Sequence, residues 1–188
     1  MTIRMRRPRP ADLASLAERS RDEPFTYRPI GVTDSDVTPP GHHRDRWTRV
    51  LGQGDRTFDL AAEAIMTWGV QRGAGLVVLA HSPVEAGAIV VMSAPLPIGW
   101  VDVACRVIRV IDETDRSGFV YGTLAEHPEQ GEESFVVVRD TDGTVTFEVV
   151  AVSRPRHPLA RLAPPAARLL QRRAVDRYLD AMTDAVRS

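Results

Sequence analysis

Residues 101–152 read VDVACRVIRVIDETDRSGFVYGTLAEHPEQGEESFVVVRDTDGTVTFEVVAV, and this stretch decides the fold. Short segments rich in Val alternate in it with turn sequences such as Thr141-Asp142-Gly143. No helical segment separates the apolar runs, and short connections between sequential strands are typical of antiparallel pairing. The stretch therefore predicts an antiparallel meander, not a doubly wound parallel sheet.

The residues before this stretch extend the sheet and add a helix. A short strand is predicted at Arg46–Leu51, and Asp55 is placed to cap a helix that ends at Gly69–Gly75. The helix has an apolar stripe at helical spacing, formed by Phe58, Ala61, Ala62, Ile65 and Trp68. The six later strands are predicted at Leu76–Ala80, Ala88–Ser93, Val101–Ile111, Phe119–Ala125, Ser134–Arg139 and Val145–Val152.

The chain ends in a long amphipathic helix. Pro164 and Pro165 lie near its predicted start, as prolines do in a first helical turn. Its apolar stripe comprises Leu169, Leu170, Ala174, Tyr178, Leu179, Met182 and Val186. The fold class predicted from this order is α+β: a strongly curved antiparallel sheet of about seven strands that grips the C-terminal helix and leaves room for a cavity between them.

The predicted domain spans residues 25–188, and residues 1–24 are predicted to form a basic N-terminal arm. Leu13 and Leu16 could give this arm one or two helical turns, with which it could dock on the domain. An extended segment is predicted for Phe25–Val32.

Composition excludes several classes of function. All 24 basic residues are Arg, which excludes a Schiff-base lysine, and against 25 acids they give a net charge of −1. So balanced a charge gives no overall attraction to nucleic acid. Cys105 is the single cysteine, which excludes an intramolecular disulfide and a multi-thiolate zinc site. Without an apolar run of about 20 residues, the sequence predicts no membrane span. We predict a soluble cytoplasmic protein.

Residues Phe119–Phe135, with the run Tyr121–Glu133 as their most specific part, resemble the signature of the domain-of-unknown-function family numbered nineteen-ninety. Shorter pieces agree with it: Tyr27–Gly31, Leu51–Gly54, Trp68, Ala74–Gly75, Cys105–Val107 and Ser153–Pro155. The strand order of that family is similar to the helix-grip fold of the START and Bet v 1 group. Proteins of that group commonly hold sterols, lipids or polyketide-like molecules beneath the long helix, so the resemblance implies a cavity for a hydrophobic ligand.

The densest polar cluster is Glu126–Glu129 together with Glu132 and Glu133. It allows two interpretations. His127 with Glu129 or Glu133 could form a general acid–base pair, since a histidine beside carboxylates titrates in a useful range. Alternatively, the cluster is a turn between strands that is shaped by Pro128, with its acids on a solvated edge.

Candidate ligand contacts come from aromatic and charged residues. Tyr121, His127 and Arg154 are predicted to supply polar contacts at the cavity mouth. The side chains of Trp68, Trp100 and Tyr27 could line the cavity, although core packing is the commoner role of such residues. We predict no metal and no cofactor; the adjacent His42 and His43 are interpreted as exposed loop residues.

Three functions follow from these patterns. The first is binding of a small hydrophobic or amphipathic molecule beneath the C-terminal helix. The second is an enzyme on the same fold that uses a His/Glu acid–base pair. The third is a protein-interaction module without a ligand, which predicts a filled core. The sequence leaves the oligomeric state and the identity of any ligand open.

Overall fold

A computed structural model describes residues 1–156 and 164–187, with side chains in the last helix described from position 169 onward. The helices of this part of the chain are α1 (Pro10–Arg19), α2 (Asp55–Met66), α3 (Gly69–Gly73) and α4 (Pro164–Ala185), with a short 3-10 turn at Val32–Asp34. The strands are β1 (Ile3–Arg4), β2 (His43–Gln53), β3 (Val77–Leu79), β4 (Ile89–Pro95), β5 (Trp100–Asp112), β6 (Arg116–Thr123), β7 (Glu129–Arg139) and β8 (Thr144–Pro155).

Seven strands form one antiparallel sheet in the order β2-β8-β7-β6-β5-β4-β3, and β1 adds to it by pairing with β5. The meander from β3 to β8 is the one predicted from the valine-rich segments. The strands β2 and β3 lie at opposite edges of the sheet, and the helices α2 and α3 connect them along the chain. The predicted α+β class and the antiparallel sheet with a C-terminal helix are confirmed.

The main core lies between the inner face of the sheet and the helices. Three phenylalanines from successive strands, Phe119, Phe135 and Phe147, are fully buried and stack with ring centroids 5.4 and 6.5 Å apart. Tyr178 of α4 packs edge-on against Phe135 at 5.3 Å. Aromatic rings at alternate positions of neighbouring strands share a face, so this row follows directly from the sequence pattern.

The N-terminal arm covers part of the outer face. Leu13 and Leu16 of α1 are buried against Val91, Ala104 and Leu124 of the sheet. An ion pair with the fully buried Asp102 also holds β1 in place. Asp102 accepts a hydrogen bond from Arg4 Nε at 2.7 Å and another from Ser93 Oγ at 2.8 Å. Residues 1–24 are therefore docked on the sheet.

The segment Phe25–Val32 forms no strand, contrary to the prediction of an extended segment. It folds over the outer face and is held by the buried carboxylate of Glu132. That carboxylate accepts hydrogen bonds from the Tyr27 hydroxyl at 2.8 Å, from the Gly31 N–H at 2.6 Å, and from the Thr33 N–H and hydroxyl at 3.2 Å. A side chain therefore satisfies the backbone N–H groups of Gly31 and Thr33.

Two helix boundaries also differ from the prediction. Asp55 is the first residue of α2 and not its cap; Gly54, with φ of +84°, occupies the cap position. An aspartate at the first helical position still favours the helix through the dipole. The predicted end at Gly69–Gly75 contains the short helix α3, which follows a left-handed turn at Trp68.

The last helix runs 22 residues from Pro164, as predicted, and buries Val175, Tyr178, Leu179 and Met182. Leu169 and Leu170 were predicted on the same buried stripe, but they are 49% and 39% exposed. Leu170 lines a cavity, so this part of α4 lies over open space and not over packed core. None of the helices in the described ranges is both long and apolar enough to cross a bilayer.

Candidate functional site

A cavity of about 650 Å³ lies between the inner face of the sheet and α4. Most of its wall is apolar. That wall includes Leu76, Met92, Val103, Ala151, Ala174 and Val175. Six strands and α4 contribute to the lining; β1 contributes Ile3, and the preceding Met1 reaches the cavity as well. Such a volume suits a small organic molecule.

A group of two hydrogen-bonded polar side chains in this wall joins two neighbouring strands. The Tyr121 hydroxyl of β6 donates a hydrogen bond to Glu133 Oε2 of β7 at 2.6 Å. The two residues are direct partners in the antiparallel register, so their side chains point to the same face. Tyr178 approaches from α4 and also lines the cavity.

Burial changes the ionisation of this group. It raises the pKa of Glu133 to about 7; the Tyr121 hydrogen bond opposes the rise, and the nearby charge of Glu129 adds to it. Burial and the Glu133 charge also raise the pKa of Tyr121 and Tyr178, so both phenols stay protonated. Glu133 is therefore a carboxyl that exchanges its proton near neutral pH, next to two phenolic donors.

A second carboxylate, that of Glu129, lies at the start of β7. It accepts a hydrogen bond from the Ser153 hydroxyl of β8. Its pKa is raised, mainly by burial, while the Ser153 hydrogen bond opposes the rise. Both Glu129 and Ser153 line the cavity.

His127 is another polar residue of the wall. Its Nδ1 lies 3.1 Å from the backbone N and also 3.1 Å from the backbone O of Glu129. Burial lowers the pKa of His127 to about 4, and the charge of Arg156 contributes to the shift. The ring is thus neutral near pH 7, and it contacts the backbone of Glu129, not a carboxylate.

We expect NMR to report a titration midpoint near pH 4 for the ring protons of His127, because burial disfavours the imidazolium. The resonance is assigned by its loss in a His127→Gln variant. A midpoint near 6.5, the ordinary value for histidine, would contradict the lowered pKa of this ring.

The other predicted contacts lie away from the cavity. Arg154 is exposed on the outer face, where its guanidinium is 2.8 Å from the amide of Gln130. Side chains alternate between the two faces along β8, so the neighbouring Ser153 faces the cavity and Arg154 does not. Tyr27 is also on the outer face, bonded to Glu132.

Neither predicted tryptophan lines the cavity. Trp68 is fully buried in the core, where its N–H donates to the His81 carbonyl at 2.8 Å and its ring packs on Phe119. Trp100 is partly exposed at the start of β5, with the Arg7 guanidinium 5.9 Å from its ring centroid. Tyr121, His127, Glu129 and Glu133 are therefore the predicted site residues that the fold brings together.

Sequence reasoning missed two features of this region. Ser153 was named only as part of the family resemblance and not as a site residue, although it follows Ala151 at the spacing of one strand face. Glu132 was placed in the same cluster as Glu133, but it points to the opposite face. Among the described residues, no group of three or more His, Cys, Asp or Glu side chains could hold a metal ion.

A model of the family described as a domain of unknown function (DUF1990) matches residues 26–181, most of the chain. The chain belongs to the DUF1990 family. The resemblance predicted from Phe119–Phe135 is therefore confirmed. A UPF0548 protein of Deinococcus radiodurans is 32% identical to this DUF1990 chain over 191 residues, which cover 93% of each sequence.

Solved structures similar to this DUF1990 protein share its fold at low sequence identity. The protein TTHA0849 of Thermus thermophilus has a TM-score of 0.54 and 16% identity, and the match covers 77% of this chain and 96% of that one. Norcoclaurine synthase of Thalictrum flavum has a TM-score of 0.52 and 10% identity, covering 80% and 98%. The fold is the helix-grip fold of the Bet v 1 and START-like proteins.

Proposed function

We propose that this protein binds a small, mostly apolar molecule with one polar end in the cavity between the sheet and α4. The observation that supports this is the composition of the wall: a mostly apolar lining around about 650 Å³, with a few polar side chains that include Tyr121, His127, Glu129 and Glu133. Apolar lining with a few convergent polar groups is the usual make-up of a ligand site. The predicted cytoplasmic location is part of this proposal.

The interaction-module alternative required a filled core, and the space beneath α4 disfavours it. The enzyme alternative remains the second candidate. It is favoured by one observation, the pKa of about 7 at Glu133, which suits proton transfer at neutral pH. In this version Glu133 and not His127 is the acid–base group, since the lowered pKa of His127 makes its imidazole a weak base at neutral pH. Norcoclaurine synthase, by its name an enzyme, has a similar fold.

The test fills the cavity from the helix side. Ala174 of α4 lines the cavity, and Ala14 of α1 is an exposed helical alanine that serves as the matched position. We expect Ala174→Phe to weaken binding of the neutral fluorescent probe N-phenyl-1-naphthylamine by about tenfold or more, because the added ring occupies the ligand volume. Ala14→Phe should bind the probe as the unmodified protein does.

Mass spectrometry of the purified proteins under native and denaturing conditions is a second test with the same two variants. A co-purified molecule should appear as extra native mass in the unmodified protein and in Ala14→Phe, and be lost in Ala174→Phe. Equal probe binding by both variants, or no probe binding by any of the three proteins, would overturn the proposed function.

A further inference from the structure

Two carboxylates lie in the mostly apolar wall of the cavity, and each accepts a hydrogen bond from a neutral hydroxyl group. Glu133 accepts from the Tyr121 hydroxyl, and Glu129 accepts from the Ser153 hydroxyl. Hydroxyl donors share a proton with a carboxylate but leave its charge uncompensated. The hydrogen bond from Tyr121 therefore leaves the negative charge of Glu133 uncompensated.

Within the described part of the chain, neither carboxylate forms a salt bridge with an arginine. Two arginines of α4, Arg173 and Arg177, line the cavity, but both are exposed to solvent. Neither of them is among the groups that shift the pKa of Glu133, which are Tyr121 and Glu129.

The remaining titratable groups around this pair do not supply a compensating cation next to Glu133. Its charge acts in turn on the Cys105 thiol and the Tyr178 phenol, which are both neutral when protonated. The charge of Asp45 raises the pKa of Glu129, and the charge of His43 lowers it. The imidazole of His127 is neutral near pH 7, as its lowered pKa requires.

An ionised carboxylate in an apolar wall is costly unless a cation or several donors accompany it. We infer that the ligand is an amphipathic amine, whose ammonium group lies against Glu133 and whose apolar body fills the space beneath α4. This inference rests on the proposed function. The rings of Tyr121 and Tyr178 beside Glu133 would favour a cation further through their π faces. A carboxylic acid, by contrast, would bring a like charge to the same place.

The experiment compares three compounds that share one alkyl chain: octylamine, 1-octanol and octanoate. Each is used to displace N-phenyl-1-naphthylamine, which binds as a neutral probe. At about pH 8 we expect octylamine to displace the probe at roughly tenfold lower concentration than 1-octanol, because its hydrogen bond to Glu133 is charge-assisted. Octanoate should be the weakest of the three.

Two further measurements isolate Glu133. Glu133→Gln should bring the displacing concentrations of octylamine and 1-octanol close together, whereas Glu113→Gln, at an exposed position, should keep the difference. Lowering the pH to about 5.5 should also reduce the preference for octylamine, since Glu133 then binds a proton while the alkylamine stays charged below about pH 10.

The outcomes separate the two levels of the proposal. Probe binding with equal displacement by octylamine and 1-octanol would overturn the amine inference and leave the proposed function standing. No probe binding at all would overturn both. A preference for octylamine that persists in Glu133→Gln would also overturn the assignment of the ammonium group to that carboxylate.

Discussion

Replacing Glu132 with alanine is expected to lower the free energy of unfolding by about 3–5 kcal/mol, because several donors beneath the outer-face segment would each lose their acceptor. The side chain is 2% exposed and accepts hydrogen bonds from Tyr27, Gly31 and Thr33. Alanine would leave these donors without an acceptor beneath the segment that covers the outer face. Urea unfolding monitored by circular dichroism measures the loss.

Three further variants test the reason for this effect. Glu132→Gln keeps an acceptor oxygen and should lose less than alanine does. Tyr27→Phe removes one donor and should cost only about 1 kcal/mol. The matched control is Glu113→Ala, an exposed glutamate whose replacement should cost below about 1 kcal/mol. A loss at Glu132 no larger than that at Glu113 would contradict the anchoring role.

The sheet could be predicted because its signals are local. Val-rich runs alternate with turn sequences from Val101 to Val152, and antiparallel neighbours need only short connections. The outer-face cover could not be predicted in the same way. Phe25–Val32 has the composition of a strand, but the Gly31 N–H within it donates to the side chain of Glu132, about a hundred residues away in sequence. Nothing in the local pattern specifies a contact of that range.

The candidate site was also predicted only in part from local sequence signals. Tyr121 and His127 were predicted near the cavity, because Tyr121 lies on a central strand that leads into the His127 turn. Arg154 was predicted there too, and one step of strand alternation places it outside. The exact strand boundary decides which residue faces in. Since β7 begins at Glu129, earlier than predicted, the polar run after Pro128 lies on both faces of the sheet.

Adjacent glutamates illustrate the consequence. Glu132 and Glu133 have the same side chain, and alternation directs them to opposite faces of β7. Glu132 meets a folded segment rich in donors, which makes it a structural anchor. Glu133 faces the cavity and accepts a hydrogen bond from the Tyr121 hydroxyl, which leaves its charge available to a ligand. The difference arises from what each face of the sheet is packed against.

Glu133→Gln is expected to make the empty protein more stable at about pH 8, by roughly 2–3 kcal/mol, and to change it little at about pH 5. The pKa of Glu133 is about 7 in the folded chain against an ordinary value of 4.5. The folded state therefore holds this proton more tightly than the unfolded state. As the pH rises through this range, ionisation costs the folded state free energy, and glutamine, which cannot ionise, avoids that cost.

Urea unfolding of both proteins at the two pH values isolates this effect, because His127 and every other titrating group are present in both and cancel in the double difference. Glu113→Gln should show no such pH-dependent gain. An equal gain at both pH values would mean that Glu133 is not ionising in a buried setting. Octylamine should stabilise the unmodified protein and not Glu133→Gln, and so remove the stability difference between them at about pH 8. This result would show that the Glu133 charge that weakens the empty fold is the charge that the ammonium group of a ligand compensates.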